Sequence, residues 1–232
     1  MDLLWDGFTE AIRLIFTLDA EVFAIATLSL AVSGTATLIS LLIGVSLGSL
    51  LALNHFRGRG VALAFVNTGM GLPPVVVGLF VAIMLWRSGP FGELNLIYTP
   101  SAMVIAQTII ATPIITGFTA AALQSLDPRL RLQILSLGAS RLQMLWLLLK
   151  EARLPLLAAV MAAFGAVISE VGASIMVGGN IKDETRVLTT AMVLETSRGR
   201  FELAMALGII LLALMVVVNL VLTSVQQGRR TL

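Results

Sequence analysis

Runs 22–53, 61–86, 94–126 and 203–225 of this chain contain no charged residue, and a further run, 154–177, is interrupted only by Glu170. Each exceeds the ~20 apolar residues that cross a bilayer core as helix. Backbone groups in lipid must be paired within the segment or in a closed barrel, so runs of this length are read as helices. The pattern predicts an all-α integral membrane protein with about five transmembrane helices. Run 22–53 is longer than one crossing needs, which leaves its start open and leaves room for a non-spanning entry over 22–31. Ahead of it, Leu4, Phe8, Ile12, Ile15 and Phe16 recur at helical spacing against Asp2, Asp6, Glu10 and Arg13. Residues 1–20 therefore read as an amphipathic segment, either lying on the membrane surface or packed on the bundle, and 21–232 as the transmembrane domain.

Composition sharpens this picture. Hydrophobic residues make up 58% of the 232 and charged residues 12%, with a mean hydropathy of +0.99, against ~45–50% apolar for soluble domains. With no cysteine and a single histidine, His55, thiolate or clustered imidazole chemistry is excluded. The acidic start, Asp2, Asp6 and Glu10, is the opposite of the basic region that opens a cleavable signal peptide, so the segment is expected to stay on the protein. Basic residues are unevenly spread. Arg57 and Arg59, then Arg129, Arg131, Arg141, Lys150 and Arg153, then Arg229 and Arg230 fall on one side of a five-helix topology, and most acidic residues fall on the other. Cationic loops are retained in the cytoplasm, which places the N-terminus outside and the C-terminus inside. The pI of about 9.7 follows from these flanks, and no nucleic-acid partner is expected.

The basic segment 125–155 carries the clearest local signals. Asp127-Pro128 reads as an N-cap and first helical residue, and Gly138 as the stop after Leu137. Ser140 and Gln143 form an S-x-x-Q capping box, after which Leu142, Leu145, Trp146 and Leu149 share one helical face. A short helix, a glycine turn and an amphipathic helix thus lead into the span at Leu154-Pro155.

That layout resembles the coupling loop of ABC importer permeases with the MetI-like fold. The resemblance extends through Gly71-Leu72-Pro73-Pro74-Val75-Val76-Val77-Gly78, Ile168-Ser169-Glu170-Val171-Gly172-Ala173 and Met176-Val177-Gly178-Gly179-Asn180-Ile181 to the molybdate and tungstate branch, and looks most like tungstate permeases of the TupB type. It implies that Ser136, Leu137, Gly138, Ala139, Ser140 and Arg141 dock onto a separate ATPase subunit. It also implies a homodimer in the cytoplasmic membrane of a bacterium or archaeon, two ATPase subunits that bind ATP and Mg, and a periplasmic or lipid-anchored oxyanion-binding protein. This chain would bind no cofactor of its own. Two departures stand out: Leu132, Gln133 and Ile134 occupy the positions where Glu-Ala-Ala is common, and Pro155 falls about one turn later than usual.

Several residues carry two readings each. Glu170 is the one ionisable residue deep in a predicted span, where charge costs ~2.5–3.5 kcal/mol on insertion scales; it repels a dianion, so it bonds a neighbouring helix near a gate or serves structure alone. With Ser169, Gly172 and Ser174 it marks a candidate path. Pro73 and Pro74 predict a kinked, pore-facing helix or a packing kink, and Pro113 has the same two readings. Gly44-x-x-x-Gly48 offers a weak helix-contact signal. The outer segment 178–201 reads as a solvated loop or as a receiver of an anion or delivery protein.

A membrane enzyme is disfavoured, because H-E-x-x-H and comparable constellations are absent from the sequence. So is the G-x-x-x-x-G-K-[ST] phosphate loop, which assigns ATP hydrolysis to another polypeptide. A secondary, ion-coupled transporter is the alternative, but it needs no long capped cytoplasmic insert and commonly shows internal repeats.

Overall fold

A computed structural model describes residues 2–17 and 19–227. It contains α1 (Asp2–Phe16), α2 (Ala20–Leu53), α3 (Arg59–Met70), α4 (Pro74–Leu85), a 3-10 turn (Gly92–Leu94), α5 (Pro100–Gln124), α6 (Pro128–Ser136), α7 (Arg141–Glu151), α8 (Arg153–Ile168), α9 (Gly172–Gly178), α10 (Leu188–Ser197) and α11 (Phe201–Gln227). Three helices are long and apolar enough to cross a membrane, namely α2, α5 and α11, or up to five segments if the bent pairs α3–α4 and α7–α8 each count as one. Arg229 and Arg230 lie outside the described residues.

The start of α2 is settled by Asp19, whose carboxylate accepts the Val22 N–H at 3.0 Å as an N-cap. The helix then continues unbroken for 34 residues, about 51 Å, well beyond a ~30 Å hydrocarbon core. Residues 22–31 therefore belong to the same helix as the rest of the run. Two other expectations require correction. Run 61–86 is not a kinked helix but two helices meeting at 100°. Pro73 is extended (φ −62°, ψ 120°) and Pro74 opens α4, because a proline excludes helical geometry from the residue before it and is tolerated in a first turn. The helix predicted over 154–177 ends at Ile168, and α9 begins four residues later. Pro113, by contrast, sits inside a continuous α5.

The centre of the protein is the pairing of α2 with α5. A methyl group added at Gly44 would lie 2.8 Å from Ile115 Cβ, and one at Gly48 would lie 2.6 Å from Thr119 Cβ and 2.7 Å from the Thr116 carbonyl oxygen. The G-x-x-x-G pattern is therefore a helix contact. Higher in the same seam Ser40 Oγ donates to the Thr108 carbonyl at 3.1 Å, and Ser29, Ser33 and Thr37 are buried along it. Helices α4, α8 and α9 complete the main apolar cluster around Met103, Ile115, Val167 and Val177. A second cluster joins α1, α10 and α11, and a third holds α6 and α7 to the ends of α5 and α8.

Helix α1 packs on α11. Ala11 and Leu14 are buried, and Gly7 lies so close to α11 that an added methyl would meet Met205 Cβ at 2.7 Å. The apolar stripe seen in the sequence, Phe8, Ile12, Ile15 and Phe16, points away from the bundle.

Substituting Gly48 by Leu should destabilise the fold by about 1–3 kcal/mol, the usual range for overpacking. Gly34→Ala, with nothing within 4 Å of the added carbon, should change little. Thermal unfolding in nanodiscs, followed by loss of monodisperse protein, separates the two; equal effects would remove the seam as the central contact.

Candidate functional site

Three groups of residues carry the functional signals, beginning with the turn between α6 and α7. Asp127 caps α6 by accepting the Arg129 N–H at 2.8 Å. At its other end the Gly138 N–H bonds the Leu135 carbonyl and the Ala139 N–H bonds the Ile134 carbonyl, with Gly138 at φ +83°. This paired closure with a left-handed residue is the Schellman stop, and glycine adopts it without steric cost. Ser140 and Gln143 then exchange both bonds of the capping box, at 2.8 and 3.3 Å. The result is a rigid corner on which Ser136, Leu137, Ser140 and Arg141 are exposed and Ala139 is half-buried. Leu137 is 86% exposed, and Leu132 and Leu142 beside it are 67% and 76% exposed. Behind the corner, Arg131 Nη1 donates to the Leu53 carbonyl at 3.0 Å and Arg59 Nε to the Leu51 carbonyl at 2.6 Å. These bonds satisfy carbonyls left open at the end of α2 and tie the corner to the longest helix.

The second group lies where the two breaks meet. Helix α4 packs on α9 at backbone distance: a methyl at Gly78 would lie 2.5 Å from Ala173 Cα, and one at Gly172 would lie 2.4 Å from Val75 Cγ2. The structure thus brings Pro73 and Pro74, at the start of α4, together with the segment from Ser169 to Ser174. Glu170 is not on a helix. Its carboxylate Oε1 accepts the Ala173 N–H at 2.9 Å, closing the open first turn of α9, and its carbonyl accepts from Thr189 Oγ1 at 3.0 Å. The Glu170 side chain thus bonds locally, within three residues of its own position, while its carbonyl bonds α10. Ser169 is exposed, Glu170 and Gly172 are half-buried and Ser174 is buried. Ser174 meets Gln107 of α5, whose Nε2 donates to Ser174 Oγ at 3.5 Å. Sequence reasoning missed Gln107, although an amide near the middle of the apolar run 94–126 was a usable signal.

The third group occupies the opposite end of the bundle, where segment 178–201 is more structured than a solvated loop. Leu188, Thr189, Thr190 and Ala191 are buried in α10, and the Leu188 N–H bonds Ser29 Oγ at 2.8 Å. Glu195, only 6% exposed, pairs with Arg198 at 3.2 Å and Arg200 at 2.7 Å. Glu21 of α2 pairs with Lys182 at 2.7 Å and Arg186 at 3.4 Å, and this carboxylate holds the Lys182 ammonium above the usual lysine range. Both sets line an open cavity of about 390 Å³. Among the described residues no group of histidine or acidic side chains is arranged to hold a metal ion.

Long apolar helices, helix breaks before α4 and before α9 that lie against each other, and a capped corner at one end fit a polytopic transport protein. Residues 44–230 match the family of binding-protein-dependent transport system inner membrane components. The chain is 37% identical to the tungstate uptake system permease protein TupB of Peptoclostridium acidaminophilum, across 98% of this chain and 100% of that one. It is 33% identical to TupB of Campylobacter jejuni, across 95% and 92%, and 30% identical to the molybdenum transport system permease protein ModB of Escherichia coli K12, across 71% and 76%. In fold it is similar to the MetNI methionine ABC transporter in an inward-facing crystal form, with a TM-score of 0.71 at 19% identity over 93% of this chain and 97% of that one. The chain belongs to the binding-protein-dependent transport permease family, the membrane components of ABC transporters.

Replacing Glu170 by Gln keeps a carbonyl oxygen for the Ala173 N–H, whereas Ala leaves that donor open. Glu170→Ala should cost about 0.5–2 kcal/mol, the range of a lost helix cap, and Glu170→Gln much less. Unfolding of both variants in nanodiscs checks the order; equal loss would mean that the negative charge itself is required.

Proposed function

We propose that this chain is the permease subunit of an ATP-driven importer that carries a tetrahedral oxyanion, tungstate or molybdate, across the cytoplasmic membrane by alternating access. The observation that carries the reading is the rigid corner at Gly138, bonded through Arg131 to α2. A secondary transporter has no use for a docking surface wired to its helices. The substrate class is supported by the full-length similarity to permeases named for tungstate uptake.

In this reading the corner end of the bundle, with Arg57, Arg59, Arg129, Arg131, Arg141, Lys150 and Arg153, faces the cytoplasm, and the N-terminus lies outside. Two copies stand side by side, with one ATPase subunit below each. Residues 136–141 seat in the ATPase pair, which binds ATP and Mg; this chain holds neither. Closure of the ATPases draws the two corners together, and α2 and α8 carry that motion into the membrane. The broken helices around Pro73, Pro74, Ser169, Gly172 and Ser174 then rearrange at the path, where irregular backbone is tolerated beside protein or water. Glu170 positions α9 and does not bind the anion, since a carboxylate repels a dianion. The opposite face, with its Glu21 and Glu195 ion pairs, receives the oxyanion-binding protein.

Uptake of labelled tungstate into vesicles holding this chain, its ATPase and its binding protein tests the reading. Gly138→Trp should abolish both uptake and ATPase association in a folded protein. Gly138→Ala, which forces a left-handed alanine at about 1–2 kcal/mol, should lower coupling in part. Uptake that persists without the ATPase, or that follows an ion gradient, would overturn the proposal.

A further inference from the structure

Helix α7 presents a second surface, distinct from the corner. Its buried residues are Met144 and Leu148; of the apolar stripe legible in the sequence, Leu145 and Leu149 are half-buried and Leu142 and Trp146 face outward. The helix meets α8 at a bend of 71°. Eleven residues make a helix about 16 Å long, which at that angle moves only about 5 Å along the α8 axis. Because α8 enters the apolar layer directly after Arg153, the whole of α7 lies near the level at which α8 meets the membrane surface.

On the inner side of this elbow, between α6 and the α7–α8 bend, is an open cleft of about 480 Å³. Leu130, Leu147 and Leu154 form its apolar wall, and Lys150, Glu151 and Arg153 its rim. Among the described residues neither Lys150 nor Arg153 takes part in a salt bridge. The Lys150 ammonium lies 5.5 Å from the centre of the Trp146 ring, on a tryptophan that is 62% exposed. Exposed tryptophan beside cations at the end of a span is the arrangement found at headgroup level.

We propose that this elbow cleft binds an anionic phospholipid, its phosphate between Lys150 and Arg153 and the start of its acyl chain along Leu147 and Leu154. The rim carries two cations against one carboxylate, which complements a negatively charged leaflet. A lipid held there braces the joint between the corner and α8, so the composition of the leaflet bears on the stiffness of that joint. This site is independent of the transported substrate.

The full chain, extracted from bilayers of phosphatidylglycerol and phosphatidylcholine in equal amounts, is assayed for retained lipid by native mass spectrometry. Wild type should retain phosphatidylglycerol in preference, and Lys150→Gln with Arg153→Gln should reduce that preference about thirty-fold, given the contribution of each surface cation. Lys150→Arg with Arg153→Lys should restore it. Added inorganic phosphate should not displace the lipid. Equal retention in wild type and the Gln variant, or displacement by phosphate, would overturn the proposal. A second measurement uses unaltered rim residues: with Trp5→Phe and Trp86→Phe, Trp146 emission in nanodiscs should be quenched more by brominated phosphatidylglycerol than by brominated phosphatidylcholine, and equal quenching would also overturn it.

Discussion

The close approach of α2 to α5 is the contact on which the rest of the protein is assembled. Lipid chains are as apolar as leucine, so no hydrophobic force drives helices together inside a bilayer, and packing must come from backbone proximity. Gly44 and Gly48 allow that proximity because any side chain there would overlap Ile115 or Thr119. Small hydroxyl residues continue the seam, and some bond within their own helix, as Thr37 does by donating to the Ser33 carbonyl and Thr112 to the Thr108 carbonyl. With this pair in place, α3, α4, α8 and α9 can lean on α5, including helices too short to hold themselves across a membrane.

The broken helices are the costly part of the design. Each break opens backbone groups that lipid cannot satisfy. Around α9 the Glu170 carboxylate, the Thr189 hydroxyl and the close contact of Gly172 with α4 supply partners and exclude lipid. At the break before α4, proline removes the donors instead. Breaks that lie against each other are suited to moving together, whereas a continuous helix such as α5 is suited to staying still.

Helices α1 and α7 show why apolar periodicity misleads in a membrane protein. In water the apolar stripe is the packing face. Here Phe8 and Ile12 of α1, and Leu142 and Trp146 of α7, are exposed, while α1 packs through Gly7, Ala11 and Leu14 and α7 through Met144 and Leu148, with Leu145 and Leu149 half-buried. A helix beside lipid turns its bulk outward and its small or less regular face inward.

The sequence alone determined the helical nature of the apolar runs, because charge-free length and backbone pairing in lipid leave no other solution; three of those runs became single long helices and two became bent or broken pairs. It also determined the corner at Gly138, since Asp127, Pro128, Gly138, Ser140 and Gln143 act on neighbours within four residues. Tertiary structure decided which proline breaks a helix: Pro113 is held inside α5, whereas Pro73 and Pro74 end one helix and start another. It decided that Glu170 lies in a gap as a cap, that Glu195 is buried between arginines, and that Gln107 meets Ser174. Those outcomes depend on which residues distant in the chain are brought within bonding distance, and nothing in local spacing encodes that distance.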